Sequence, residues 1–120
     1  MLGLMQDWPL LEVSFASGVP TIWLQLQQYV ETNKLRLPQL KRLAVGGAAS
    51  TPSMIEAFDR MGIAMTQGWG MTEMGPIGAN GMLKPPLDKT SGEARIDRLS
   101  YQGVAPFLVE MKITDDEGRE

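Results

Sequence analysis

The chain of 120 residues has no cysteine and no histidine. Without Cys there is no disulfide scaffold and no thiolate catalysis. Without either residue there is no Cys/His zinc site and no Ser–His–Asp triad within the chain. Positive charge is also scarce. Eleven Lys and Arg face fourteen Asp and Glu, leaving a net charge of −3 and an isoelectric point near 4.9. Such a chain lacks the cationic footprint that nucleic acid or an anionic membrane requires. No apolar run approaches the roughly 18 residues of a transmembrane helix. Met1–Met5 is briefly apolar, but Gln6 and Asp7 follow and no basic stretch precedes it, so no targeting peptide is read there. A cytoplasmic protein is the expectation.

What is present is an ordinary composition for one small domain, 43% apolar and 21% charged. So short a chain has little material for both a core and a walled active site. Thirteen Gly and eight Pro suit short elements and shaped loops. The chemistry left open is that of glycine-rich backbone, hydroxyls, carboxylates, Lys and Arg.

Residues 1–12 read as an irregular lead-in. Val13–Ala16 is a candidate short strand ended by Ser17-Gly18. Pro20 suits a helix start, where its missing N–H is harmless. Ile22, Trp23, Leu26, Tyr29 and Val30 then form a helical stripe. Leu43-Ala44-Val45 reads as a strand buried on both faces. Gly46–Ser50 is a turn of small residues. Thr51 is placed to cap a helix with Pro52 at its first position. Met54, Ile55, Phe58 and Met61 give that helix its apolar face, and Gly62 suits a left-handed end. Ile63–Gln67 reads as the next strand, broken by Gly68-Trp69-Gly70. Met71–Met74 follows as a turn or short helical piece.

Strand, glycine turn, helix, strand and glycine turn make the βαβ grammar of a parallel sheet. The expected fold class is therefore α/β. Residues 75–106 are punctuated by Gly and Pro with little periodicity and read as a long loop. Val109–Thr114 alternates, with Val109, Met111 and Ile113 on one face, and predicts a half-exposed strand. Asp115–Gly118 reads as a hairpin-like turn.

Two glycine turns thus follow two successive strands, and ligands of open parallel sheets sit at the carboxyl ends of the strands. The second turn reads Gln67-Gly68-Trp69-Gly70-Met71-Thr72-Glu73. Glycines let backbone approach a ligand, and an indole offers a stacking face. A threonine hydroxyl can donate to a phosphate oxygen. A carboxylate suits Mg²⁺, which binds one or two carboxylates plus substrate phosphates. The same residues also fit a plain turn, with Trp69 packed, Thr72 capping a short helix and Glu73 solvated. Spacing alone leaves both readings open.

Gly46-Gly47-Ala48-Ala49, followed by residues 67–73, resembles the adenylate-forming superfamily, and most of all its acid–CoA ligases, the fatty acyl-CoA synthetases. Gly18–Trp23, Leu37–Leu43, Gly103–Pro106 and Val109–Ile113 are similar to flanking segments of that family, and the likeness covers about residues 14–120. The resemblance implies a piece of a large N-terminal adenylation domain, with a partial parallel sheet and flanking helices. It implies two-step chemistry, in which a carboxylate attacks the α-phosphate of ATP and coenzyme A then displaces AMP. It assigns Gly47, Ala48 and Ala49 to an adenine and acyl pocket, with Gly68 in the nucleotide-binding turn. Trp69 would stack on adenine, Gly70 and Met71 would border the acyl group, Thr72 would bond the α-phosphate and Glu73 would ligate Mg²⁺. Thr72 and Glu73 would act on the reaction itself, by electrostatic stabilisation. The implied partners are ATP or AMP, Mg²⁺, coenzyme A and a fatty or related carboxylic acid, with no nucleic acid.

The departures from the family pattern shape a further expectation. The phosphate loop with its Lys, the later ribose-binding Asp, the hinge and the Lys-bearing C-terminal domain have no counterpart in these residues. Residues 1–11 resemble the start of such an enzyme, and the text then moves to the middle of its large domain. The order implies an internally deleted and C-terminally truncated version, with a lead-in at 1–12 and a partial adenylation domain at 13–120. Such a chain is expected to be inactive alone, whether as a nucleotide-binding remnant or an inert fragment, and to self-associate through exposed sheet edges. Met54, Met61, Met65 and Trp23 are read as core, with Met71 and Met74 divided between core and pocket. Lys84, Lys89, Arg95 and Arg98 are read as solvated, as are Asp115, Asp116 and Glu117.

Overall fold

The structure, a computed structural model, describes residues 12–120. The lead-in segment 1–11, and with it the similarity to an enzyme's start, lies outside the described residues. Strand β1 is Phe15–Gly18, helix α1 Pro20–Thr32, β2 Arg42–Val45, α2 Pro52–Arg60, β3 Ala64–Trp69, β4 Ala79–Asn80 and α3 Gly92–Leu99. Single 3₁₀ turns occur at Thr72–Met74 and Leu87–Lys89. The sheet order is β1-β2-β3-β4. The first three strands are parallel, and β4 returns antiparallel to β3.

The helices form where the spacing predicts. Pro20 opens α1, which buries Trp23, Leu26 and Val30, one residue per turn on one face. Thr51 caps α2, its side chain accepting the Met54 N–H, with Pro52 at the first turn. The helix buries Met54, Ile55 and Phe58, and Gly62 follows it at φ +77°. These residues join Leu43, Val45, Ile63, Met65 and Leu99 in one cluster, with Met61 packed against it. The helices share one side of the sheet because β1, β2 and β3 succeed one another in the same direction, and two right-handed crossovers then lie on the same face.

That arrangement corrects the expectation for β2. Leu43 and Val45 face the helices and are buried, but Ala44 is only half-buried. It lies in register between Ser17 and Thr66, on a face that no described helix covers. Phe15, more than half exposed, lies on the same side, with Arg42 stacked 5.9 Å from its ring centre.

Three further expectations are corrected. Gly68 and Trp69 do not break β3 but belong to it, paired with Asn80 and Ala79. The stretch 75–106 is not a plain loop, since it holds β4 and α3. Helix α3 is hard to see in sequence because Gly92 opens it and its apolar signal is little more than Ile96 and Leu99, three residues apart. It forms because Leu99 reaches the core and Arg95 reaches Asp59 of α2. Val109–Thr114 is not a strand. Its alternation is real, but a strand needs neighbours for its backbone groups, and the segment finds none among the described residues. Ile113 is 85% exposed and Phe107 92%. The turn after it does form, with Gly118 N–H donating to the Asp115 carbonyl at 3.0 Å.

Candidate functional site

The two glycine turns meet at the carboxyl ends of the parallel strands. They share a cleft of about 330 Å³ lined by Ser17, Ala44, Gly46, Gly47, Thr66, Gly68, Trp69, Gly70, Ile77 and Asn80, among others. Alternation along the strands explains its floor. The side chains of Ser17, Ala44 and Thr66 lie side by side in register on the face away from the helices, and all are small. Thr66 Oγ1 donates to the Leu43 carbonyl at 3.3 Å.

The first rim is Gly46-Gly47. Gly47 has φ +78°, a left-handed conformation that a side chain would strain. The second rim is the loop that turns β3 into β4. Gly78 N–H donates to the Trp69 carbonyl at 2.8 Å and closes the hairpin. Within it, Met74 N–H donates to the Met71 carbonyl at 2.9 Å, and Gly75, at φ +70°, ends the 3₁₀ turn. Gly70 is required by contact, because a Cβ there would collide with the Pro76 carbonyl and approach Gly78 N to 2.9 Å. Gly78 plays the same part for Trp69, whose ring edge would be 2.8 Å from an added Cβ.

Gly47, Gly68, Trp69 and Gly70 therefore stand together on the cleft. Trp69 lines the cleft and is 45% exposed, and an indole offers a flat face for stacking. Ala48, Ala49, Met71, Thr72 and Glu73 are exposed on the adjoining turns and are not part of the cleft lining. Met74 is half-buried. Thr72 begins the 3₁₀ turn rather than capping it; Met71 holds the cap position, with no side-chain cap bond. Among the described residues no cluster of three or more carboxylates is assembled for a metal. Glu73 forms no ion pair there. A lone, exposed carboxylate fits a Mg²⁺ ion that arrives on a polyphosphate, where one or two protein carboxylates suffice. Sequence reasoning missed Ser17, Thr66, Asn80 and Ile77 as lining residues. Period-2 alternation in β1 and β3 carries the signal for the first two. Asn80 and Ile77 depend on a hairpin that the Gly/Pro-rich text conceals.

The match to the AMP-binding enzyme family spans residues 4–120. The chain belongs to that family. This AMP-binding chain is 40% identical over 107 residues to a long-chain-fatty-acid–CoA ligase of Thermus thermophilus, covering 89% of the chain and 20% of the ligase. It is 42% identical over 110 residues to a 3-methylmercaptopropionyl-CoA ligase of Ruegeria pomeroyi, covering 88% and 20%. Among solved structures it is similar to the o-succinylbenzoate coenzyme A synthetase of Bacillus subtilis in complex with ATP and magnesium ion. There the TM-score is 0.72 at 26% identity, over 98% of this chain and 22% of that one. The chain spans about a fifth of the length of the curated relatives it matches. Among the described residues no helix is long and apolar enough to cross a membrane.

Proposed function

We propose that this chain carries part of the adenylation site of an acid–CoA ligase acting on a fatty or related carboxylic acid. The observation that carries the reading is the cleft itself. The Gly46-Gly47 turn and the Gly68-Trp69-Gly70 end of β3 converge on it at the carboxyl ends of the parallel strands. The relatives that support the substrate class are ligases of fatty and methylmercaptopropionic acids.

In the proposed chemistry a carboxylate oxygen attacks the α-phosphorus of ATP. The bond to pyrophosphate breaks, giving an acyl-adenylate, and the coenzyme A thiol then displaces AMP. Trp69 would stack on adenine. Backbone at Gly47, Gly68 and Gly70 would let the nucleotide lie close, with Ala48, Ala49 and Met71 beside it. Thr72 would donate to the α-phosphate, and Glu73 would hold Mg²⁺, which supplies charge neutralisation when bound. A cytoplasmic setting goes with this choice of substrates. We further propose that these 120 residues by themselves bind nucleotide without turning over, since they match only about a fifth of the length of the ligases they resemble.

Titration with AMP and with Mg²⁺-ATP, followed by Trp emission, tests the reading. Saturable quenching that Trp69→Ala removes supports it. Absence of any response to either nucleotide overturns it in favour of an inert fragment. Pyrophosphate release with ATP and dodecanoate, lost in Glu73→Ala, would overturn the expectation of no turnover.

A further inference from the structure

One buried amide ties both rims of the cleft to the rest of the fold. Gln67 is 2% exposed and directly precedes Gly68. Its backbone pairs in register with Val45, the residue before Gly46, and its carbonyl accepts the Gly81 N–H at 2.7 Å. Its side chain does something a β-strand residue need not do. Oε1 accepts the Ser50 N–H at 2.9 Å, at the far end of the first glycine turn. Nε2 donates to the Ser100 carbonyl at 2.7 Å and lies 3.5 Å from the Leu99 carbonyl, where α3 ends. Four segments therefore meet on one residue: β2 with its glycine turn, the second turn, β4 and the end of α3.

An apolar side chain would fill that position equally well, as Leu43, Val45 and Met65 do on the same face. An amide is needed only because Ser50 N–H and the 99–100 carbonyls are turned inward, where unpaired groups are costly. The geometry points to Gln67 as a positioning residue for the cleft. It sets the distance between the Gly46–Ser50 turn and the Gly68–Gly70 end of β3, and so the gap that a planar ligand must enter. It does not line the cleft, and it acts through Ser50 and Gly68. The inference rests on the reading of that cleft as a nucleotide site.

The test uses the full chain with AMP as the probe. Gln67→Leu keeps bulk and removes every side-chain hydrogen bond. Gln67→Glu is the rescue variant, because burial raises the pKa of the introduced carboxyl, and the neutral acid offers one acceptor and one donor. Two readouts are followed in each, AMP affinity and amide hydrogen exchange. In Gln67→Leu, exchange at Ser50 should rise at least tenfold while Leu43 and Met65 change less than twofold, and AMP affinity should fall at least tenfold. Gln67→Glu at pH 5 should restore both. A purely structural role would speed exchange across the whole sheet or leave AMP affinity within twofold, and either result overturns the inference. Should Gln67→Leu fail to fold, the glutamate variant alone decides. Loss of AMP affinity as pH rises toward 9, with the sheet still protected, is then expected, and a flat profile overturns the inference. If the native chain binds no AMP, the functional reading fails separately. Ser50 exchange and Trp69 emission then decide whether Gln67 sets the two turns.

Discussion

Arg95 Nε donates to Asp59 Oδ1 at 2.8 Å, joining α3 to α2 across 36 residues of sequence. Both side chains are more than two-thirds covered, so solvent screens the pair less than it would on an open surface. Arg95 was expected to be solvated; Lys84, Lys89 and Arg98 do remain exposed. The pair substitutes for the apolar face that α3 lacks. Arg95→Ala should therefore cost about 1 kcal/mol. Urea unfolding with the Asp59→Ala partner and the double variant measures the coupling. A coupling indistinguishable from zero would leave the docking of the helix to Leu99, Ile96 and the Gln67 amide.

Phe58, on α2, is fully buried in the hydrophobic core cluster. Phe58→Ala should cost about 3–5 kcal/mol. That is a large share of the total stability of a small domain, on the order of 5–15 kcal/mol. Thermal unfolding followed by far-UV circular dichroism should show a transition lowered by well over ten degrees or no cooperative transition at all.

Two glycines of the site should respond unequally. A Cβ on Gly70 would collide with the Pro76 carbonyl, whereas one on Gly46 meets nothing within 4 Å. Gly70→Ala should destabilise by about 1–3 kcal/mol, as overpacking does, and shift Trp69 emission. Gly46→Ala should leave stability within about 0.5 kcal/mol. Equal effects in chemical denaturation would contradict the contact argument.

The cap of α2 offers a local check. Thr51 Oγ1 accepts the Met54 N–H at 3.3 Å. Thr51→Ala should cost about 1 kcal/mol and Thr51→Ser far less, since serine caps equally well. Comparable losses in the two variants would assign the effect to packing of the methyl group.

Asp115 titrates below the ordinary aspartate range, chiefly because the Arg119 backbone N–H donates to its carboxylate and secondly because the Arg119 side chain does. A depressed value means that the ionised form holds the turn. The contribution is present above the usual aspartate pKa and is lost as pH falls through the lower, native one. Carboxyl-carbon NMR should place the midpoint below that of a model aspartate. Arg119→Ala should raise it only in part, because the backbone donor survives. A full return to the ordinary value would put the whole effect on the guanidinium.

The sequence by itself determined the α/β class, the two helices that open at Pro20 and Pro52, the Thr51 cap of the second, and the two glycine-bearing segments that frame the cleft. These are local matters: helical spacing, Pro at a first turn, Gly at positive φ. The roles proposed for Thr72 and Glu73 come from resemblance to family motifs, since no spacing could assign them. Tertiary structure alone decided the remainder. Whether the face bearing Ser17, Ala44 and Thr66 is covered depends on where the crossovers lie, not on Leu43-Ala44-Val45 itself. Whether Gly92–Leu99 is a helix depends on Asp59 and the core. Whether Val109–Thr114 becomes a strand depends on a neighbour to receive its backbone groups, and alternation gives no information about that neighbour. Gln67 shows the same division. Its type was plain in the sequence, but only the fold brings Ser50 and Ser100 to the two ends of one amide.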